Sequence, residues 1–222
     1  MSPADFASLA PCLQPGKASR GTILFHKDEP VEHIWFLESG IGSLITVSDE
    51  GSRVESGVFG RDGFGPVAFA MDSDRSPIDG QAQSSIRFHR IEAGIIKAAL
   101  AQSPDLRALL LRYAHTLSVQ TSYTALSNAI HTVDQRLARW LLMLHDRVDG
   151  DELRITHEFL STMLAVRRPS VTTSLHVLEG EGLIRSKRGC VMIRDRAAME
   201  VFASDSYGPP EREYERLLGP MR

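Results

Sequence analysis

Five polar side chains between residues 156 and 196 have the types and the spacing of a surface that reads nucleic acid. They are Arg168, Ser170, Thr172, Thr173 and His176. Short hydroxyl groups allow close approach to base edges, and an arginine can bind guanine or a phosphate. Apolar residues at helical spacing, Val171, Leu175 and Leu178, occupy the other side of the same segment. We therefore expect one helix with an apolar inner face and an outer face that contacts double-stranded DNA.

The flanking sequence predicts the elements that would hold this helix in place. An earlier short helix begins after Thr156, a good N-cap residue, and carries Leu160, Met163 and Leu164 on one face. The second helix begins near Pro169, which is tolerated in a first helical turn. Two short alternating segments, 183–185 and 191–193, join through a turn at residues 187–189. This order predicts a winged helix-turn-helix.

The charge of this segment favours DNA over the alternative of a protein-binding winged helix. Residues 163–194 hold six Arg or Lys against two Glu, a net charge of +4, whereas the whole chain has a net charge of −3. A local basic patch on an acidic protein is typical of a nucleic-acid surface. We assign Arg167, Lys187 and Arg188 to the phosphate backbone.

The rest of the chain predicts an α+β fold: an N-terminal antiparallel β-roll, a long dimerisation helix and the winged helix-turn-helix. Residues 19–91 alternate short apolar runs with turns, and segments 21–26, 34–37, 43–47, 54–59 and 86–91 are predicted strands. A helix without Gly or Pro follows over about residues 105–129. Its apolar residues at spacings of four and three are Leu106, Leu110, Tyr113 and Leu117. This seam predicts a symmetric dimer; the alternative is that the helix packs on its own roll.

The predicted domains are a sensor roll (1–103), the dimerisation helix (104–130), a DNA-binding domain (131–203) and a tail (204–222). Thr132 and Gln135 form a predicted capping box that opens the DNA-binding domain. The tail mixes Gly, Pro and charge, and we expect it to be poorly ordered.

Composition argues against several other classes of protein. The N-terminal residues lack a signal-peptide pattern, and no apolar run approaches the roughly 20 residues of a membrane span, so we expect a cytoplasmic protein with no membrane partner. Two distant cysteines suit a reducing compartment. Single, scattered histidines predict no metal site. The glycine-rich segment 60–65 lacks the lysine of a phosphate-binding loop, and we expect no enzyme activity.

The sequence resembles the Crp–Fnr family of bacterial transcription regulators. The resemblance covers about residues 19–196 and is strongest at VDQRLARWLL (133–142), at 156–164 and at 171–184, which ends in LEGEGLI. It implies a homodimer on a two-fold symmetric DNA site that recruits or blocks RNA polymerase. Arg168 matches a DNA-contacting Arg of the family, whereas Pro169 and Thr173 depart from its cyclic-AMP members, so a different base sequence is expected.

The resemblance also implies a candidate ligand site in the roll: Gly65, Arg75, Ser76, Thr121 and Ser122. Pro66 stands where cyclic-AMP members have a Glu that accepts the ribose hydroxyl, and proline offers no carboxylate and no N–H. Arg75 could still hold an anion. We expect no cofactor. The alternative is a regulator gated by a small molecule, a cyclic nucleotide or another anion, in the roll.

Overall fold

The computed structural model describes residues 1–221 and contains the predicted β-roll. Its elements are α1 (Pro3–Leu9), β1 (Gln14–Ala18), β2 (Ile23–Phe25), β3 (His33–Ser39), β4 (Gly42–Val47), β5 (Arg53–Phe59), β6 (Phe64–Gly65), β7 (Asp79–Ala82) and β8 (Ile86–Glu92). Two antiparallel four-stranded sheets, in the orders β1-β8-β3-β6 and β2-β7-β4-β5, form the roll.

Aromatic rings fill the space between the two sheets. The rings of Phe25 and Phe59 lie 6.4 Å apart, centroid to centroid. Glycines allow these rings to approach the backbone: a Cβ at Gly80 would lie 2.2 Å from the Phe25 ring, and one at Gly42 would lie 2.4 Å from Phe59. Side chains at either glycine would displace a ring, so the roll interior is a packed core.

Two helices follow the roll, α2 (Ala93–Gln102) and α3 (Pro104–Ile130). Ser103 caps α3, its Oγ accepting from the Leu106 N–H at 3.1 Å. The predicted seam residues lie on the inner face of α3 and are 1%, 4%, 4% and 6% exposed for Leu106, Leu110, Tyr113 and Leu117. They belong to the core of the roll of their own chain. We expected these residues to form a seam between two protomers. They instead pack on the roll of their own chain, which was the alternative, because the roll already supplies the apolar partner.

The C-terminal domain contains α4 (Val133–His145), β9 (Glu152–Leu153), α5 (His157–Leu164), α6 (Arg168–Gly180), β10 (Ile184–Lys187), β11 (Cys190–Ile193) and α7 (Arg196–Ala203). The predicted capping box is confirmed at Thr132 and Gln135. Trp140 on α4 is 1% exposed at the centre of this core. Ile41 and Val58 of the roll join the same core, so the two domains pack against each other.

The prediction of a poorly ordered tail is wrong. Residues Ser204–Ser206 form a 3-10 turn, and α8 (Pro209–Leu218) packs along α3. Tyr214 of α8 donates from its hydroxyl to the Asp62 carbonyl at 2.8 Å. Tyr214 and Leu218 also pack against the roll core. These two residues are four positions apart and form the apolar inner face of α8. The prediction weighed the Gly, Pro and charge content of the segment and overlooked this spacing.

A buried polar cluster joins the roll, α3 and α4, and we call it the polar junction: Asp62, Gln120, Arg139 and Arg147. Arg147 donates to both Asp62 carboxylate oxygens, at 3.0 and 2.7 Å. Arg139 donates to the carbonyls of Gln120 (3.1 Å) and Ser206 (2.8 Å). Burial alone would lower the pKa of Arg147, but the carboxylates of Asp62 and Asp146 outweigh it and raise that pKa. The junction therefore holds fixed charges in the interior.

No helix within residues 1–221 is both long and apolar enough to cross a membrane. The same residues contain no cluster of three or more His, Cys, Asp or Glu side chains arranged to hold a metal ion.

Candidate nucleic-acid interface

The turn between α5 and α6 sets the angle at which α6 projects. Ala165 ends α5 in the left-handed conformation, at φ 51°. The Ser161 hydroxyl donates to the Val166 carbonyl at 2.6 Å. Arg136 of α4 donates to the Leu164 carbonyl. The first bond braces the turn itself. The second satisfies a carbonyl at the end of α5 and ties the turn to α4.

The inner face of α6 is the predicted one. Val171, Leu175 and Leu178 are at most 2% exposed and belong to the domain core. Burial of all three along one side leaves a single orientation for the helix, with the polar side turned outward.

The outward face of α6 presents the predicted polar side chains to solvent. Arg168, Ser170, Thr173 and His176 are exposed, and Thr172 is half-buried. The hydroxyls of Thr172 and Thr173 donate to the carbonyls of Arg168 (3.2 Å) and Pro169 (3.1 Å). The Thr172 oxygen also lies 3.3 Å from Nδ1 of His157. The Thr173 oxygen retains its acceptor capacity, which suits the amino groups of cytosine or adenine.

Arg168 has a partner that sequence reasoning missed. Its Nη2 lies 3.2 Å from Glu158 Oε1, and the two side chains are 63% and 76% exposed. Glu158 lies in the first turn of α5 and Arg168 is the first residue of α6. No signal in the sequence indicated that these two helix starts lie side by side. Because the pair is exposed, water and salt screen it, and a base or a phosphate could replace the carboxylate.

The wing lies beside α6 and is tied to it. Strands β10 and β11 pair from Ile184↔Ile193 to Lys187↔Cys190, and Gly189 turns between them at φ 74°. Glu179 of α6 accepts from the Ser186 N–H at 2.7 Å. A movement of α6 would therefore carry the wing with it.

The three residues predicted to contact the DNA phosphate backbone are accessible cations. Arg167, Lys187 and Arg188 are exposed, and within residues 1–221 none of the three forms an ion pair. Arg167 precedes α6, whose first turn has no side-chain cap and no acidic residue. The positive end of the helix dipole and the three cations thus lie on the same domain, an arrangement that attracts phosphate.

The candidate ligand residues have separate local environments. Arg75 donates to the Asp28 carbonyl, and buried Ser76 donates to the Ile78 carbonyl at 2.7 Å. Thr121 and Ser122 are exposed on α3. Within the described chain, no hydrogen bond joins the loop pair to the helix pair. Gly65 lies against Phe25: a Cβ there would be 2.9 Å from that ring.

Comparison with known proteins finds a family match within the C-terminal domain of the chain. Residues 135–202 match the family described as the Crp-like helix-turn-helix domain. The chain is 23% identical over 203 residues to the "CRP-like cAMP-activated global transcriptional regulator" of Mycobacterium tuberculosis. The alignment covers 88% of this chain and 90% of the relative.

Solved structures share the fold over most of the chain. The cyclic-di-GMP-responsive global regulator CLP of Xanthomonas campestris superposes with a TM-score of 0.67 at 18% identity, covering 87% of this chain and 100% of that one. A CRP-family transcriptional regulator of Thermus thermophilus gives a TM-score of 0.68 at 20% identity, covering 85% and 96%. The predicted order of roll, long helix and winged helix-turn-helix is therefore confirmed.

Proposed function

We propose, from the premise that this chain is a Crp-like transcription regulator with a helix-turn-helix DNA-binding domain, that it acts as a homodimer on a two-fold symmetric DNA site. Each protomer would place α6 in a major groove. The two half-sites would then lie about one helical turn, ~34 Å, apart.

The observation that carries this proposal is the exposed polar face of α6 with its neighbouring cations. We assign base edges or nearby phosphates to Arg168, Ser170, Thr172, Thr173 and His176. Arg167 and the wing residues Lys187 and Arg188 would hold the backbone. Because the wing is hydrogen-bonded to α6, these contacts would fix the register of the whole domain on the duplex.

The dimer surface that we propose is the outer face of α3, opposite the predicted seam. Val119, Tyr123, Leu126 and Ile130 follow spacings of four, three and four, as in a coiled coil. Leu126 is 40% exposed and Ile130 63% exposed, values unusual for apolar side chains on a packed helix. A second copy of α3 would cover them and place two winged helices side by side.

The name of the Mycobacterium relative says that cyclic AMP activates that protein. We further propose that the roll of this chain, in contrast, binds no cyclic nucleotide. Buried Pro66 replaces the acidic acceptor. Arg75 is engaged by the Asp28 carbonyl, and Phe25 and Phe59 pack the interior. The protein would contact RNA polymerase once bound to DNA, as the family resemblance implies.

The test is a selection of random DNA duplexes on the purified protein at physiological salt, without any added ligand. We expect a palindromic sequence whose half-site centres are about one helical turn apart. Sedimentation of the free protein should give the mass of a dimer.

A matched pair of variants separates the two faces of α3. Leu126→Glu places a charge on the outer face, and we expect monomers that bind the palindrome weakly. Ser118→Glu changes an exposed polar position of the same helix and should leave the dimer intact. Selection of no sequence at all by the wild-type dimer would contradict the proposed function. Equal behaviour of the two variants would contradict the dimer surface.

A further inference from the structure

A groove between the β-roll and the DNA-binding domain has the size of a small-molecule site. Its volume is about 660 Å³, within the range of roughly 300–1,000 Å³ that is typical of ligand pockets. The roll contributes Arg20 and Ser85, and the DNA-binding domain contributes Leu144, Phe159 and the wing residue Gly189. A molecule bound there would touch both domains at once.

The floor of the groove is apolar and the rim is polar. Leu144, Val148, Ile155 and Phe159 provide aliphatic and aromatic surface from the DNA-binding domain. Ser85 and its neighbours in the roll provide hydroxyl and amide groups on the opposite wall. This division suits a ligand with an apolar body and one polar end.

Charge decides which polar end fits. Of the four charged side chains that line the groove, three have ion-pair partners: Asp149 pairs with Arg61, and Glu152 lies 3.3 Å from Arg154. Arg20 is exposed and makes no ion pair or side-chain hydrogen bond within residues 1–221. One uncompensated guanidinium above an apolar floor favours an anionic group.

We propose that this groove binds an amphipathic organic anion, a molecule with an apolar ring or chain and one acidic group, and that its occupancy changes DNA affinity. Phe159 supplies the mechanical link, because it lies on α5, which leads through the Ala165 turn into α6. Gly189 adds a second link at the wing. The regulatory half of this inference rests on the proposed DNA-binding function; the binding half does not.

Two matched fluorescent probes test the binding half. Anilinonaphthalene sulfonate carries an anionic group on an aromatic body, and phenylnaphthylamine is nearly the same body without the charge. We expect the full-length protein to bind the sulfonate more tightly than the neutral probe. Arg20→Gln should weaken sulfonate binding by about tenfold and leave the neutral probe unchanged.

Two further variants locate the site. Ser85→Trp adds an indole to the wall of the groove and should abolish binding of both probes. Arg212→Gln removes an exposed charge from α8 and should change neither. Equal affinity for the two probes in the wild type, or sulfonate binding that survives Ser85→Trp in a protein of unchanged thermal stability, would overturn the proposal.

The regulatory half is measured as DNA affinity with and without saturating sulfonate. We expect a change of at least severalfold that disappears in Ser85→Trp. An unchanged affinity overturns regulation by this groove. A protein that binds the sulfonate in the groove but selects no DNA would refute the DNA-binding function and leave the groove as a ligand site.

Discussion

Two groups of polar side chains, one on α6 and one on α3, have opposite environments. On α6, Ser170, Thr173 and His176 are exposed and lie on the face turned away from the core. On α3, Gln120 and Thr124 are 7% and 4% exposed. Gln120 accepts from the Val58 N–H at 2.9 Å, and Thr124 donates to the Gln120 carbonyl at 3.0 Å.

The difference lies in what covers each helix. One side of α6 is largely exposed among the described residues, so its polar groups remain accessible to a partner. The roll and α8 cover the corresponding side of α3, so its polar groups must find partners within the chain. Loss of a group on α3 or in the polar junction should therefore cost stability, and loss of a group on α6 should cost DNA affinity.

The largest effect is expected in the polar junction. Asp62→Ala leaves the Arg147 guanidinium buried without its carboxylate, and we expect the free energy of unfolding to fall by about 3–5 kcal/mol. Urea denaturation at neutral pH measures it. Glu38→Ala removes one side of an exposed pair, 3.7 Å from Arg87, and should cost under about 1 kcal/mol. Similar losses in the two variants would contradict the buried character of the junction.

A second buried polar group should make stability depend on pH. Burial raises the pKa of Glu55 from 4.5 to about 8, although the Ser43 hydroxyl, which donates at 2.7 Å, opposes this shift. The folded state then binds a proton that the unfolded state has lost. The contribution of Glu55 to the free energy of unfolding should therefore be largest below pH 4.5 and fall until about pH 8.

Glu55→Gln should remove this slope. Glutamine stays neutral at every pH and can still accept from Ser43. We expect the variant to be more stable at pH 7 by an amount on the order of 3 kcal/mol. Denaturation curves measured from pH 4 to 9 decide the matter. Parallel profiles for wild type and variant would show that Glu55 is ionised in the folded protein.

A substitution on the exposed face of α6 is expected to change DNA affinity and to leave stability nearly unchanged. Arg168→Ala should weaken binding to the selected site by about 1–3 kcal/mol and relax the choice at one base pair. Its unfolding free energy should change by under about 0.5 kcal/mol, since the side chain is exposed. Arg212→Ala on α8 serves as the charge control. Unchanged affinity and unchanged sequence preference in Arg168→Ala would remove this residue from the interface.

The smallest effect is expected at the wing. Lys187→Ala should weaken binding equally on every sequence and reduce the slope of log affinity against log salt concentration by about 1. Titrations at several salt concentrations on specific and random duplexes measure both quantities. A loss confined to one base position would instead assign Lys187 to base reading.

Local pattern predicted much of the fold. The long strands, α3, the capping box at Thr132 and both helices of the helix-turn-helix, α5 and α6, follow from apolar spacing, turns and caps. Short elements escaped: β1 and β6 contain few apolar residues, and their pairing with β8 and β3 is set by the sheet. Apolar spacing also predicted the outward face of α6, because Val171 and Leu178 identify the inner side of the helix.

Partners that depend on how separate elements meet in space could not be predicted. The spacing of Leu106 to Leu117 fits a coiled coil and a helix packed on a roll equally well, since both need one apolar stripe. Only the position of the roll decides between them. The Arg168–Glu158 pair and the Asp62–Arg147 pair likewise depend on how helices and loops meet, which residue types alone do not specify.

The contact between Tyr214 and Asp62 spans 152 positions of the chain. This separation affects the order in which parts of the protein can fold during synthesis. A ribosome produces the roll and α3 first, then the whole DNA-binding domain, and only afterwards the helix α8 that packs on α3. The side of α3 that α8 covers therefore remains open to water or to a chaperone while the later domain emerges. Contacts of such long separation also form slowly in refolding. Closure of the first domain is thus one of the last events in the maturation of the chain.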